Sequence, residues 1–156
     1  MPSSVPVQPP RTPAEWDAYY ALRYAVLRRP WQQPPGSERA PADAEPTTVH
    51  ALLLAPAPAA GPARPAALAV GMLQRVAAHQ GQIRFMAVAP AAAGTGLGRR
   101  VLAYLEAQGR AAGFTELVLH ARHTAVGFYE KQEYAVVGPS HTLFGVLPHW
   151  LMRKEL

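Results

Sequence analysis

Apolar positions recur along this chain at two spacings, and the spacings predict its elements. Residues 49–54 and 67–77 are apolar runs of strand length, and residues 83–88, Ile-Arg-Phe-Met-Ala-Val, form another. Between the last two, His79-Gln80-Gly81 predicts the turn of a hairpin. A helical spacing of three to four links Trp16, Tyr19, Tyr20, Arg23 and Val26 or Leu27. Thr12 and Pro13 precede that set as N-cap and first helical residue, with Glu15 in the first turn. A second helix is predicted from Leu97, Val101 and Leu105, running to about residue 112, where Gly113 stops it. Residues 5–10, 115–120, 134–138 and 150–156 complete the expected strands. Two stretches resist both periods. Residues 28–47 are irregular and too rich in proline for a long helix, and 55–65 read as a small-residue loop.

The chemistry begins where the central strand meets the second helix. Pro90 ends the strand, because it lacks an N–H for a ladder. Gly94-Thr95-Gly96-Leu97-Gly98 then opens the helix. A strand, a glycine turn and a helix N-terminus aim unpaired backbone N–H groups at one point and so suit a phosphate. Glycine permits positive φ and lets a ligand approach the backbone. Arg99 and Arg100 stand in the first helical turn, where the helix dipole disfavours cations, a placement that an anion would compensate.

Three motifs compete for this stretch. A nucleotide P-loop requires Gly-Lys-Ser/Thr, whereas Gly98 is followed by two arginines. A dinucleotide fold requires an acidic residue at the end of the next strand; Glu116 stands at its start, and His120 at its end. The third pattern is Val-x-Pro-x-x-Arg-Gly-x-Gly-x-Gly, and Val88, Pro90, Gly94, Gly96 and Gly98 fall in register with it. It resembles the acyl-CoA site of the GNAT superfamily, the GCN5-related N-acetyltransferases. Ala91 and Ala93 replace polar residues of that pattern, which leaves the backbone cradle. Further on, residues 122–134 resemble the family's second signature, Asn-x-x-Ala-x-x-Phe/Leu-Tyr-Glu-Lys-x-Gly-Phe. Ala125, Phe128, Tyr129, Glu130 and Lys131 match it, while Arg122, Glu133 and Tyr134 depart from it. Ala125, Phe128 and Tyr129 share a helix face, which predicts Phe128 in the core. His120-Ala121, Phe144 and Pro148-His149-x-x-Met152 are similar to the bacterial ElaA-like subgroup.

The resemblance implies an α/β fold across residues 1–156, a single GNAT domain. Its central sheet would be mixed and mostly antiparallel, with six to seven strands and about four helices. The implied activity is acyl transfer from acetyl-CoA to a primary amine of a small molecule or peptide, by direct attack in a ternary complex. The backbone of Met86, Ala87 and Val88 would pair with the pantetheine arm. Gly94, Thr95, Gly96, Leu97, Gly98, Arg99 and Arg100 would hold the pyrophosphate. Tyr129 matches the tyrosine that protonates the leaving thiolate. Many members place a basic glutamate on the central strand, and residues 82–88 contain none. His120 and His149 are the substitutes, with a water chain to solvent as the other route. Arg28, Arg29 and Trp31 lie in the segment that shapes the acceptor site, and two arginines there suit an acceptor bearing a carboxylate or phosphate. The alternative is a degenerate member that binds CoA as a sensor or interaction module.

Composition narrows the setting. With no cysteine, the 156 residues carry neither a disulfide framework nor a thiolate metal site, which suits the cytoplasm. The remaining histidines, His50, His79, His123 and His141, show no metal-ligand spacing, so no metal is expected. No charged-then-apolar N-terminal signal and no long apolar run is present, so no membrane association is expected. The net charge of +5 raises nucleic acid as a partner, but the arginines are scattered rather than clustered. Binding of an anionic cofactor accounts for the same charge about as well. The expected assembly is a monomer or homodimer.

Overall fold

The structure, a computed structural model, describes residues 5–57, 60–61 and 63–156. Part of the expected loop over 55–65 lies outside the described residues. Helix α1 spans Pro13–Leu27, and the Thr12 hydroxyl accepts from the Glu15 N–H as predicted. Strands β1 (Val49–Leu54) and β2 (Ala67–Ala77) follow, then β3 (Gln80–Val88). Gln80 already pairs with Ala77, so the hairpin turn is Ala78-His79 rather than His79-Gln80-Gly81. Helix α2 (Leu97–Ala111) leads to β4 (Glu116–Arg122), and a short helix α3 (Val126–Lys131) leads to the β5 (Ala135–Leu143) and β6 (Leu147–Glu155) hairpin.

The strand order is β1-β2-β3-β4-β6-β5. Every neighbouring pair is antiparallel except β3 and β4. Those two must be parallel because α2 carries the chain back over one face of the sheet before β4 begins. Six strands fulfil the expected sheet; the described residues hold three α-helices rather than four, the remainder being 3-10 turns. Two other expectations fail. Residues 5–10 contribute one bridge, Gln8 to Leu52, because the prolines around it supply no N–H for a ladder. The last two strands run longer than predicted and meet in a turn at Phe144 and Gly145, both with positive φ.

Each face of the sheet has its own core. On one side Val101, Leu102 and Leu105 of α2 pack on Ala51, Leu53, Leu73, Leu117 and Leu119. On the other, Tyr19 and Leu22 of α1 pack on Leu52, Val70 and Ala87. Truncating one such leucine to alanine costs about 2–5 kcal/mol, a large share of a domain's stability. Gly71 lets α2 pack closely on β2, since a Cβ there would stand 2.9 Å from Val101 and 3.0 Å from Leu105.

A buried polar ring fixes the proline-rich segment against α1. Arg23, fully buried, pairs with Asp43 at 2.9 Å and donates to the Tyr19 hydroxyl at 2.7 Å. Tyr19 bonds His50 Nδ1 at 2.8 Å, and His50 Nε2 bonds the Asp43 carbonyl at 3.0 Å. A carbonyl only accepts, so Nε2 carries the proton and Nδ1 receives that of Tyr19. Burial lowers the His50 pKa and keeps the ring neutral. Ionic and hydrogen-bonded groups thus hold residues 29–48, whose two 3-10 turns bury little apolar surface of their own.

Candidate active site

The register of β3 and β4 ends at Ile83 opposite Leu119. Beyond that pair the strands part, and the edge of β3 that faces β4 has no ladder partner among the described residues. A cavity of about 430 Å³ fills the gap. Arg84, Phe85 and Met86 line it from β3, His120 and Arg122 from β4, and Tyr129 from α3. Arg28 and Trp31 close one side, His141 and His149 another.

A bulge shapes the β3 wall. Val70 pairs with Ala87 and Met72 with Arg84, so Gly71 faces both Phe85 and Met86. Phe85 takes φ 55°, a left-handed conformation that costs a bulky residue about 1–3 kcal/mol. The kink turns its ring toward α1, where the Arg23 guanidinium lies 4.0 Å from the ring centre. Arg23 Nε, buried without a hydrogen-bond partner among the described residues, belongs to that stacked guanidinium.

At the β3–α2 junction, Gly94 and Gly96 have φ 77° and 84°. Gly96 is the N-cap of α2 and supplies no side-chain cap, and the first turn holds no acidic residue. Its first N–H groups are therefore uncapped by side chains, and a Cβ on Gly94 or Gly96 would meet nothing within 4 Å. The cradle is open and fits a phosphate. Gly98 is needed for closeness instead, its Cβ position lying 3.3 Å from Val88 and 3.5 Å from Phe128. Phe128 is 36% exposed, not in the core as expected: α3 is too short to bury both faces, and its ring covers the glycine turn.

The expected site residues separate into two groups. Met86, Tyr129, His120, His149, Arg28 and Trp31 line one cavity. Ala87 and Val88 pair with β2 at the end of β3, and Thr95 gives its hydroxyl to the Ala92 carbonyl at 2.6 Å. Arg29 is exposed on the 3-10 turn and outside the cavity lining. Arg100 donates to the Val5 carbonyl, while Arg99 is exposed. Arg84, Arg122 and His141 were missed as site residues. Arg84 hides in an apolar run, and His141 in a strand that the sequence leaves too short.

Titration follows from burial. Tyr129 is buried, which raises its pKa well above the ordinary value near 10, with Arg122 pulling it back. It is a proton donor at neutral pH. His149 is lowered first by burial; the Leu147 carbonyl works against this, and repulsion from Arg122 and the neighbouring imidazoles adds to the lowering. Its Nδ1 bonds that carbonyl at 2.8 Å, so Nδ1 holds the proton and Nε2 the free lone pair. His120 is lowered by burial, then by His141 and Arg84. Ser140 Oγ lies between His120 Nδ1 and His141 Nδ1, and the His141 ring stacks on His149 at 4.7 Å.

Comparison with known proteins bears on this geometry. The family model for the acetyltransferase (GNAT) domain matches residues 63–156. A putative N-acetyltransferase from Lactobacillus plantarum superposes with a TM-score of 0.75 at 27% identity, over 96% of this chain and 97% of that one. An aminoglycoside 6'-N-acetyltransferase solved with coenzyme A gives 0.74 at 15% identity, over 96% of each chain. Escherichia coli ElaA gives 0.71 at 18% identity, over 93% of each, a likeness of fold. Among the described residues no helix is long and apolar enough to cross a membrane, and no group of three metal-ligating side chains gathers.

Proposed function

The chain belongs to the GNAT acetyltransferase family, and on that premise we propose that it transfers the acetyl group of acetyl-CoA to a primary amine bound in the β3–β4 cleft. Residues 1–156 act as one such domain. The observation that carries the reading is the parting of β3 and β4 after Ile83 and Leu119. It leaves a strand edge for the pantetheine arm, ends near an uncapped glycine turn and opens onto Tyr129.

In this reading the backbone of Met86, Ala87 and Val88 aligns the donor, and the N–H groups of residues 94–99 hold its pyrophosphate. The acceptor amine attacks directly, forming the C–N bond as the C–S bond breaks. His149 Nε2 takes the amine proton, since its other nitrogen is fixed as a donor by Leu147. His120, tied through Ser140 to His141, is the second candidate. Tyr129 gives its proton to the leaving thiolate. The glutamate that other members use is replaced by imidazoles whose pKa values burial and, after it, the nearby arginines lower. The cysteine-free chain suits the reducing cytoplasm.

Free thiol released from acetyl-CoA, measured against a panel of amines, tests the reading. One observation favours the alternative, a member that binds CoA without turnover: among the described residues no carboxylate lines the cavity. Acetyl-CoA binding with no thiol released for any amine would establish that alternative.

A further inference from the structure

Arg28, Arg84 and Arg122 all line the cleft, and among the described residues no aspartate or glutamate does. None of the three forms an ion pair among the described residues. The nearby acids are engaged elsewhere: Asp43 by Arg23 at 2.9 Å, and Glu38 by the Gly36 N–H at 2.8 Å and by Arg39.

Aromatic faces hold these arginines instead. Arg84 lies 4.9 Å and Arg28 5.6 Å from the centre of the Phe85 ring. Arg28 is also 5.5 Å from Phe144, Arg122 is 4.9 Å from Trp31, and Trp31 stacks on Phe144 at 6.3 Å. A ring face orients a guanidinium without consuming its in-plane N–H donors or cancelling its charge. Arg84 spends one donor on Gln74, and Arg28 spends two on the Ser37 and Leu27 carbonyls. The chain also accepts a left-handed Phe85 to supply one of those faces.

Half-buried cations gathered without a counter-ion repel one another and lose solvation. Burial lowers the pKa of all three; at Arg28 and Arg84 repulsion from Arg23 adds to it, at Arg28 that of Arg84 as well, with Glu38 and Asp43 acting in the opposite sense. Such a set is stable when a ligand supplies the missing anion. We propose that the acceptor carries a carboxylate or phosphate beside its amine, gripped by Arg28, Arg84 and Arg122. The assignment rests on the transferase reading, because it takes the same cleft as the acceptor site. A polycationic amine meets three positive groups there and no carboxylate. An amino acid or an aminoalkyl phosphate places its anion on the guanidiniums and leaves the amine for His149 and the thioester. Bidentate geometry suits carboxylate and phosphate alike.

The test compares amines that differ only in the anion. Each standard amino acid is paired with its carboxamide, phosphoethanolamine with ethanolamine, and spermidine stands for polycations. Thiol release from acetyl-CoA and the melting temperature of the CoA-saturated protein are both read. The anionic member of at least one pair is expected to exceed its neutral twin about tenfold or more in kcat/KM, and the amino-acid and phosphate arms identify which anion is used. Arg84→Gln and Arg122→Gln, neither of which breaks an ion pair, should each raise the acceptor KM about 10–100-fold, the usual worth of a charged hydrogen bond. The acetyl-CoA Kd should stay unchanged in both. Thiol release with amides or spermidine equal to or above the acids overturns the inference and leaves the transferase reading standing. Melting shifts that depend on the anion and on the arginines, without any thiol release, support the anion site and overturn the transferase reading. No shift and no release with any anionic amine overturns the inference.

Discussion

Arg84 and Phe85 are consecutive residues of a strand, yet both project toward α1, with the guanidinium 4.9 Å from the ring centre. Alternation would place them on opposite faces. The extra residue opposite Gly71 and the positive φ of Phe85 break the alternation, and Met86 resumes it on the α2 side. One bulge therefore sends Arg84 and Phe85 to one face of β3 and Met86 to the other.

The ring face is the part of this device that leucine lacks. Phe85→Leu keeps bulk in the bulge and removes the cation–π contacts of Arg23, Arg28 and Arg84, worth about 0.5–2 kcal/mol each. Acceptor KM should rise several-fold while the acetyl-CoA Kd stays put. Steady-state kinetics beside calorimetry checks this, and an unchanged KM would make Phe85 a space-filler.

Gly96→Val introduces a β-branched side chain at φ 84° in the space left open at the α2 N-terminus. The folded protein should lose acetyl-CoA binding, with a stability cost of about 1–3 kcal/mol from the backbone strain. Calorimetry on a variant whose circular dichroism matches the parent decides it, and retained affinity would place the pyrophosphate elsewhere.

Rate should depend on pH through imidazole rather than through the tyrosine. His149 and His120 have lowered pKa values, so kcat at saturating acceptor should lose its imidazole base only as pH drops below about 6.5. Tyr129 is raised beyond its ordinary value, so it adds no loss on the alkaline side below pH 10. His149→Gln should lower the rate and remove the acid limb. An unchanged profile in that variant would move the base to His120 or to solvent.

Stability should carry its own acid dependence, through His50. Its folded pKa is lowered, so below about 6.5 the unfolded chain binds more protons than the folded one. The neutral ring's contribution is complete above that pH and is lost as pH falls toward the folded pKa, with His120 and His149 adding in the same direction. Urea melts at pH 7.5 and 5 should show the loss, with a smaller difference in His50→Gln. Equal differences would mean that the Tyr19–His50–Asp43 ring does not control it.

Much of this was legible from residues whose constraint is local. Thr12-Pro13, the β1 and β2 runs and Gly94-x-Gly96-x-Gly98 each act within a few residues, and their elements stand where the pattern places them. Tyr129 of the second signature, Arg28 and Trp31 of the segment after α1, and the histidines His120 and His149 reach one cavity. The misses come from distance along the chain. The Phe85 bulge is set by Gly71, α2 and α1 together, and nothing in an apolar run of six marks it. Arg100 turns to a carbonyl 95 residues away, and Phe128 is exposed because α3 ends after six residues.

The central claim is that the cleft moves an acetyl group with Tyr129 as the proton donor to sulfur. Tyr129→Phe keeps the ring that packs edge-on against Phe128 and Tyr134 and removes one oxygen. The most direct test is thiol release under saturating acetyl-CoA and acceptor, alongside the acetyl-CoA Kd, in parent and variant. With Tyr129 as the donor, Kd should be unchanged and kcat lower by about 10²–10⁴-fold, the usual worth of a positioned proton transfer. Equal kcat in parent and variant, or no thiol release from the parent with any amine, would contradict it.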